Sequence, residues 1–211
     1  MQTRIILVRH GQTAWNREEV FRGRTDMPLD AVGLQQAEAA AAALEQEPIS
    51  RVVTSPLARA LMTAQTVAER HALPAIEEPA FIDIDFGRWQ GLQVAEAQAR
   101  YPELFATWQS APDAVFFPEG EDLDTVADRA FAALEQLVSD CAGQTIAVIA
   151  HRVVNKVLVC RTLGLGTSRF WQIKQDTACI NRLSFGAGIW VLECLNDTCH
   201  MRHLSPATGD F

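Results

Sequence analysis

No apolar run in this 211-residue chain approaches the roughly 20 residues that a membrane-crossing helix needs. Met1-Gln2-Thr3-Arg4 leads into only the four apolar residues Ile5 to Val8 before Arg9, too short a stretch for the core of a secretory signal peptide. Cysteine is sparse and unpatterned. Cys141, Cys160, Cys179, Cys194 and Cys199 are odd in number and contain no Cys-x-x-Cys pair, which argues against a disulfide framework and against zinc. Inert thiols in a reducing cytoplasm are the expectation. His200 and His203 lack companion ligands, so neither a metal nor any other cofactor is expected. An excess of positive charge is also missing: the net charge of -8 weighs against nucleic acid or an anionic membrane as partner. No Pro/Gly/Ser linker, repeat or low-complexity stretch divides the chain, and with 48% hydrophobic residues it reads as one domain over residues 1–211.

The most informative residues present are Ile5-Ile6-Leu7-Val8-Arg9-His10-Gly11. An apolar β-branched run reads as a buried strand, and a strand buried on both faces cannot hold Arg9 and His10 in its core. Both side chains are therefore expected at its C-terminal end, where open α/β sheets bind ligands. Gly11 permits a tight turn or a close approach, and leaves room for in-line attack at His10. The pattern recurs at Thr145-Ile146-Ala147-Val148-Ile149-Ala150, which ends in His151-Arg152. A third strand, Arg51 to Ser55, runs into Pro56 and a helix, with Ser55 as expected N-cap and Arg59 in the first turn. Parallel strands share one C-terminal edge, so two histidines and three arginines can converge there.

Such a cluster is repulsive unless an anion fills it, and the planar guanidinium fork fits a phosphoryl group bidentately. A small-molecule phosphate ester is the natural occupant. An imidazole in line with phosphorus can act as nucleophile through a phosphohistidine, and fixed donors around the three phosphoryl oxygens can supply most of the catalysis without a metal. His10 suits the nucleophile, and His151 suits stabilisation of charge on the oxygens.

An ordered set of motifs strengthens this reading: Leu7 to Asn16; Phe21-Arg22-Gly23-Arg24-Thr25-Asp26 with Pro28-Leu29 and Gly33; Ser55 to Ala60 with Thr63-Ala64; Phe86-Gly87-Arg88-Trp89-Gln90-Gly91; and Ile149-Ala150-His151. In these the chain resembles the histidine phosphatase superfamily, which includes the cofactor-dependent phosphoglycerate mutases. The resemblance implies His10 as the phosphorylated nucleophile, with Arg9, Arg59 and His151 completing the phosphate pocket. It also implies Asn16 and the Arg22-Gly23 turn as further contacts. Read without it, Asn16 is a capping or turn residue and Arg22 a solvated surface charge.

Two positions depart from the family. Where relatives usually carry a glutamate as general acid, this chain has Asp83, one methylene shorter. An aspartyl donor must sit closer or act through a water, and working near neutral pH requires burial or a bound phosphate dianion to outweigh nearby arginines. Asp85 lies on the same face of an extended segment and is the alternative donor; a third reading pairs both aspartates structurally with arginines. The second departure is Arg152, where the family more often has Gly. Its side chain either contacts phosphate, narrows the pocket or points outward.

Helical spacing marks residues 33–47, 57–70, 123–140 and 153–163, and residues 180–185 and 189–195 read as a hairpin at the sheet's far edge, a possible homodimer contact. This alternation predicts a three-layer α/β/α sandwich with a mainly parallel central sheet, as the resemblance also implies. A segment at about residues 86–122 interrupts the alternation and is the expected specificity insertion. Its rings, Trp89, Tyr101, Phe105, Trp108, Phe116 and Phe117, are expected mostly to pack against the sheet. Mutases of the family carry a longer, cation-rich insertion, whereas Arg88 and Arg100 are the only cations here. Hydrolysis of a phosphomonoester is therefore favoured over mutase chemistry, and a non-catalytic phospho-ligand binder ranks third.

Overall fold

The structure is a computed structural model and describes residues 1–204. Strand β1 (Thr3–Arg9) is followed by a single-turn helix α1 (Ala14–Arg17) and by α2 (Ala31–Leu44). Then come β2 (Ile49–Thr54), α3 (Ala58–Arg70) and the short β3 (Ala75–Glu77). Two short helices, α4 (Val94–Arg100) and α5 (Pro102–Ser110), precede α6 (Leu123–Asp140), β4 (Thr145–Ala150) and α7 (Arg152–Thr162). The described chain closes with the hairpin β5 (Ile180–Gly186) and β6 (Ile189–Asp197).

The six strands form one sheet in the order β3-β2-β4-β1-β5-β6. The first four are parallel, and β5 and β6 are antiparallel additions. Strand alternation sorts the apolar residues into two layers. Ile5 and Leu7 of β1 and Ile146, Val148 and Ala150 of β4 face a cluster that includes Val126, Ala130 and Leu134 of α6 and Val154, Val157 and Leu158 of α7. Ile6, Val8, Ala147 and Ile149 face the other way, onto Ala41 and Leu44 of α2 and Ala60, Ala64 and Val67 of α3. The sandwich expected from the sequence is the one observed.

Helix boundaries shift for local reasons. Asp30 caps α2, its carboxylate accepting the Gly33 N–H at 2.8 Å, so that helix starts at Ala31 and not at Gly33. Ser55 does not cap α3, whose N-cap is Leu57; its hydroxyl still accepts the Leu57 N–H, at 3.3 Å. Within residues 86–122, Trp89, Phe105, Trp108 and Phe117 are buried in the same cluster as Leu7 and Val148, their rings meeting at centroid distances of 5.1 to 5.8 Å. Packing is thus the role of most of these rings, and only Phe116 is fully exposed. No helix among the described residues is long and apolar enough to cross a membrane.

Candidate active site

Hydrogen bonds between strand ends register the site. His10 N–H donates to the Ala150 carbonyl at 3.0 Å and Ser55 N–H to that of Ile149 at 3.0 Å, so the ends of β1, β2 and β4 lie side by side. The side chains there, Arg9, His10, Ser55, Arg59 and His151, are all buried. Gly11 makes a close approach, to a second glycine. A Cβ on it would lie 2.4 Å from the Gly33 carbonyl oxygen, and one on Gly33 would lie 2.0 Å from that of Gln12. The glycine pair lets the start of α2 press against the turn that carries His10.

The His10 and His151 rings lie 5.2 Å apart at 59°. His10 Nδ1 is 2.6 Å from the Gly11 carbonyl oxygen, an acceptor only, so Nδ1 carries the proton and Nε2 keeps its lone pair. Burial first, then Arg59, Arg9 and Arg22, pushes the His10 pKa well below its ordinary value, so the ring is neutral at physiological pH. Burial, then Arg59 and His10, does the same to His151. His151 Nε2 is 2.7 Å from the Ser55 hydroxyl, and its Nδ1 faces the Asp83 carboxylate at 3.7 Å.

Arg59 is wholly buried and bonded on three sides: to the Gly23 carbonyl at 2.8 Å, the Thr25 carbonyl at 2.9 Å and Asp83 Oδ2 at 3.1 Å. Gly23 has φ +50°, and a side chain there would meet Gln90, so this turn favours glycine. Arg9 donates through Nη1 to the Gln175 carbonyl. Gln175 is held in turn by a reciprocal amide pair with Asn181, at 2.7 and 2.9 Å. Asn16 Oδ1 accepts both the Thr13 N–H and the Thr13 hydroxyl at 2.9 Å, which is the capping role. Arg22 is buried, with Nη1 donating to the Trp15 carbonyl at 3.2 Å, and is not a solvated surface charge. Arg152 is also buried and does not point outward. It lines one narrow pocket with Val20, Phe21, Arg22, Gly23, Asp83, Phe86 and Val153.

The two aspartates diverge. Residues 82–86 pair with no strand, so the period-two expectation does not apply to them. Arg129 of α6 gathers this segment by donating to the carbonyls of Ala80, Ile82 and Asp83 at 2.6, 2.7 and 3.2 Å. Asp83 turns toward Arg59 and His151, whereas Asp85 caps the Gly87 N–H at 2.8 Å and faces Arg24 at 3.6 Å. Both aspartates therefore have arginine partners, and only Asp83 lines the pocket.

Comparison with known proteins fits this geometry. The family model of the histidine phosphatase superfamily (branch 1) matches residues 5–198. The chain belongs to that superfamily. Phosphoserine phosphatase 1 of Hydrogenobacter thermophilus is 35% identical over 198 residues, covering 94% of each chain. The metal-independent phosphoserine phosphatase of Arabidopsis thaliana is 32% identical over 203 residues, covering 94% of this chain and 83% of its own. Among solved structures, Bacillus stearothermophilus YhfR superposes with a TM-score of 0.90 at 27% identity, covering 95% of this chain and all of the other. The protein is a histidine phosphatase enzyme of the phosphoglycerate mutase-like fold.

Within this histidine phosphatase, some residues at the site escaped the reading of the sequence. Ser55 was expected as a helix cap, and its hydroxyl also meets His151. Thr63 links the Gly11 N–H at 3.2 Å to the Arg59 carbonyl at 2.9 Å. Arg129 lies far along the chain on an amphipathic helix, with no local signal to distinguish it. His200, considered for a metal pair, lies 3.1 Å from the Ala178 carbonyl oxygen, and no group of three His, Cys, Asp or Glu suited to a metal occurs among the described residues.

Proposed function

We propose that this histidine phosphatase hydrolyses a small phosphorylated metabolite through a phosphohistidine on His10, with Asp83 as general acid and then general base. The observation that carries the reading is the state of His10: a ring whose Nδ1 proton is engaged by Gly11 and whose protonation is disfavoured by burial and by Arg59, Arg9 and Arg22, so that Nε2 keeps its lone pair. In the first step the His10 Nε2–P bond forms as the bond from phosphorus to the ester oxygen breaks, and Asp83, which takes up a proton when the ester dianion fills the pocket, gives that proton to the departing alkoxide. In the second, the Asp83 carboxylate takes a proton from water as the water oxygen attacks phosphorus, and the Nε2–P bond breaks to release phosphate. Arg9, Arg59 and His151 stabilise charge on the phosphoryl oxygens, with Asn16, Arg22 and the Gly23 turn shaping the entrance; preorganised donors of this kind typically lower a barrier by several kcal/mol.

Mutase chemistry is the second reading. It calls for cations that enclose a doubly charged substrate against water, and the two in the insertion are engaged elsewhere. Arg88 pairs with Glu119 and Arg100 with Glu96, all at the exposed surface. A non-catalytic binder would retain the pocket without an acid within reach of it.

The decisive experiment incubates the protein with p-nitrophenyl phosphate in EDTA and with 3-phosphoglycerate plus 2,3-bisphosphoglycerate. Phosphate release abolished by His10→Ala, with an acid-labile, alkali-stable phosphoryl label on the wild type alone, supports the proposal. Mutase turnover exceeding phosphate release overturns it, and no turnover of a broad ester panel favours the binder.

A further inference from the structure

We propose that Arg129 and Glu121 are positioning residues for proton transfer: together they fix the backbone around Asp83 so that its carboxyl is held where the leaving group departs. This deepens the hydrolytic reading and rests on Asp83 as its acid. All five N–H donors of the Arg129 guanidinium are engaged. Nη1 donates to the Ala80 and Ile82 carbonyls at 2.6 and 2.7 Å, and Nη2 to the Asp83 carbonyl at 3.2 Å and Glu121 Oε2 at 3.1 Å. Nε donates to Glu121 Oε1 at 3.1 Å. Glu121 is used as fully. Besides Arg129, its Oε1 accepts from Arg24 Nη2 at 2.8 Å and its Oε2 from the Asp85 N–H at 3.0 Å, while its own N–H donates to the Asp85 carbonyl at 2.8 Å.

The clamp thus holds the chain on both sides of Asp83, in a segment that no sheet ladder fixes. Packing supplies the coarser anchor, since Phe81, Ile84 and Phe86 are buried in the core. The carboxyl follows the same backbone: Oδ1 accepts the Ile84 N–H at 3.0 Å, and Oδ2 is held 3.1 Å from Arg59 Nη2 and 3.7 Å from His151 Nδ1. An aspartyl side chain is short, so a shift of its main chain passes almost undiminished to the carboxyl. Misplacement by about 1 Å can cost about 10²-fold in rate. Neither Arg129 nor Glu121 lines the pocket, so both act through Asp83 and not on the ester. Their charges cancel as a pair, which leaves the field at the phosphate to the arginines already assigned there.

The test is a double-mutant cycle on two esters of similar shape: p-nitrophenyl phosphate, whose nitrophenolate departs without a proton, and phenyl phosphate, whose phenolate leaves poorly without one. The quantity read is the ratio of their kcat/KM values, which covers the steps through departure of the leaving group and excludes hydrolysis of the phosphohistidine. Asp83→Asn should raise the ratio of p-nitrophenyl to phenyl phosphate by at least about tenfold, and Arg129→Met by at least about threefold. In the double variant the ratio should equal that of Asp83→Asn alone, because placement no longer matters once the acid is gone. A merely structural role lowers both esters alike. An unchanged ratio in folded Arg129→Met therefore overturns the inference, as does a double variant whose ratio exceeds that of Asp83→Asn by the Arg129→Met factor. Should Arg129→Met fail to fold, Glu121→Gln, which removes the charge and one acceptor from the clamp, is read on the same ratio. If Asp83→Asn itself leaves the ratio unchanged, the acid reading fails and the positioning role falls with it. A shift in Asp83→Asn without one in Arg129→Met removes the positioning role alone.

Discussion

Asp83 accepts a hydrogen bond from Arg59 Nη2 at 3.1 Å, and both side chains are buried. The pair joins the residue chosen as proton donor to the cation that opens α3. Breaking it changes two things of opposite sign: proton transfer is lost, and the pocket becomes more positive. Replacing Asp83 with Asn should lower kcat for an alkyl phosphate by about 10²–10⁴ and for p-nitrophenyl phosphate far less, because nitrophenolate departs without a proton. The same variant should bind inorganic phosphate more tightly, since one negative charge has left the pocket. Equal losses on the two esters would remove Asp83 from the acid role, whatever happens to phosphate binding.

Ser55 offers a second, separable test. Its hydroxyl at 2.7 Å fixes the His151 ring, so Ser55→Ala should free the imidazole to tilt and to exchange tautomers. A fall in kcat of about tenfold, with KM little changed, is the expected signature of a group that acts on the transition state. A rise in KM alone would show that Ser55 only shapes substrate binding.

The glycine contact at the base of the site predicts a structural loss. Gly33→Ala would place a methyl 2.0 Å from the Gln12 carbonyl oxygen, a backbone atom that cannot rotate aside. Overpacking of this kind typically costs about 1–3 kcal/mol, and here it also pushes on the turn that carries His10. Thermal melting should show the loss, and kcat should fall along with it. Wild-type stability in Gly33→Ala would mean that the turn yields freely.

What the sequence disclosed and what it concealed divide along physical lines. Arg9, His10 and His151 were legible because a buried parallel strand must expose its polar residues at its ends, and the runs Ile5 to Val8 of β1 and Ile146 to Ala150 of β4 are apolar until there. The three layers were legible for the same reason, since Ile5 and Ile6 can only be buried on opposite faces. The divergence of Asp83 from Asp85 was not, because residues 82–86 are held by Arg129, more than 40 positions away, and not by a strand with a period. The partner of the close approach at Gly11 was hidden, because it is another glycine, Gly33, which becomes a neighbour only after α2 folds back. Arg22 and Arg152 could be named from motif positions, but their burial in one pocket is a tertiary fact.

The buried histidines predict how stability depends on pH. His10 and His151 titrate near 6.5 when unfolded and well below that when folded. At pH above about 6.5 neither state binds protons on these rings, and their contribution is at its maximum. As the pH falls below that value the unfolded chain takes up protons that the folded one refuses, so stability declines until the folded pKa values are reached. The slope approaches about 1.4 kcal/mol per pH unit for each histidine. Urea denaturation at intervals between about pH 7 and pH 5 should show this decline, and His151→Asn should remove close to one proton's worth of it. If the decline in His151→Asn matches that of the wild type, the ring at position 151 is charged, or solvated, in the folded protein. The role proposed for His151 on the phosphoryl oxygens would then fall to an imidazolium.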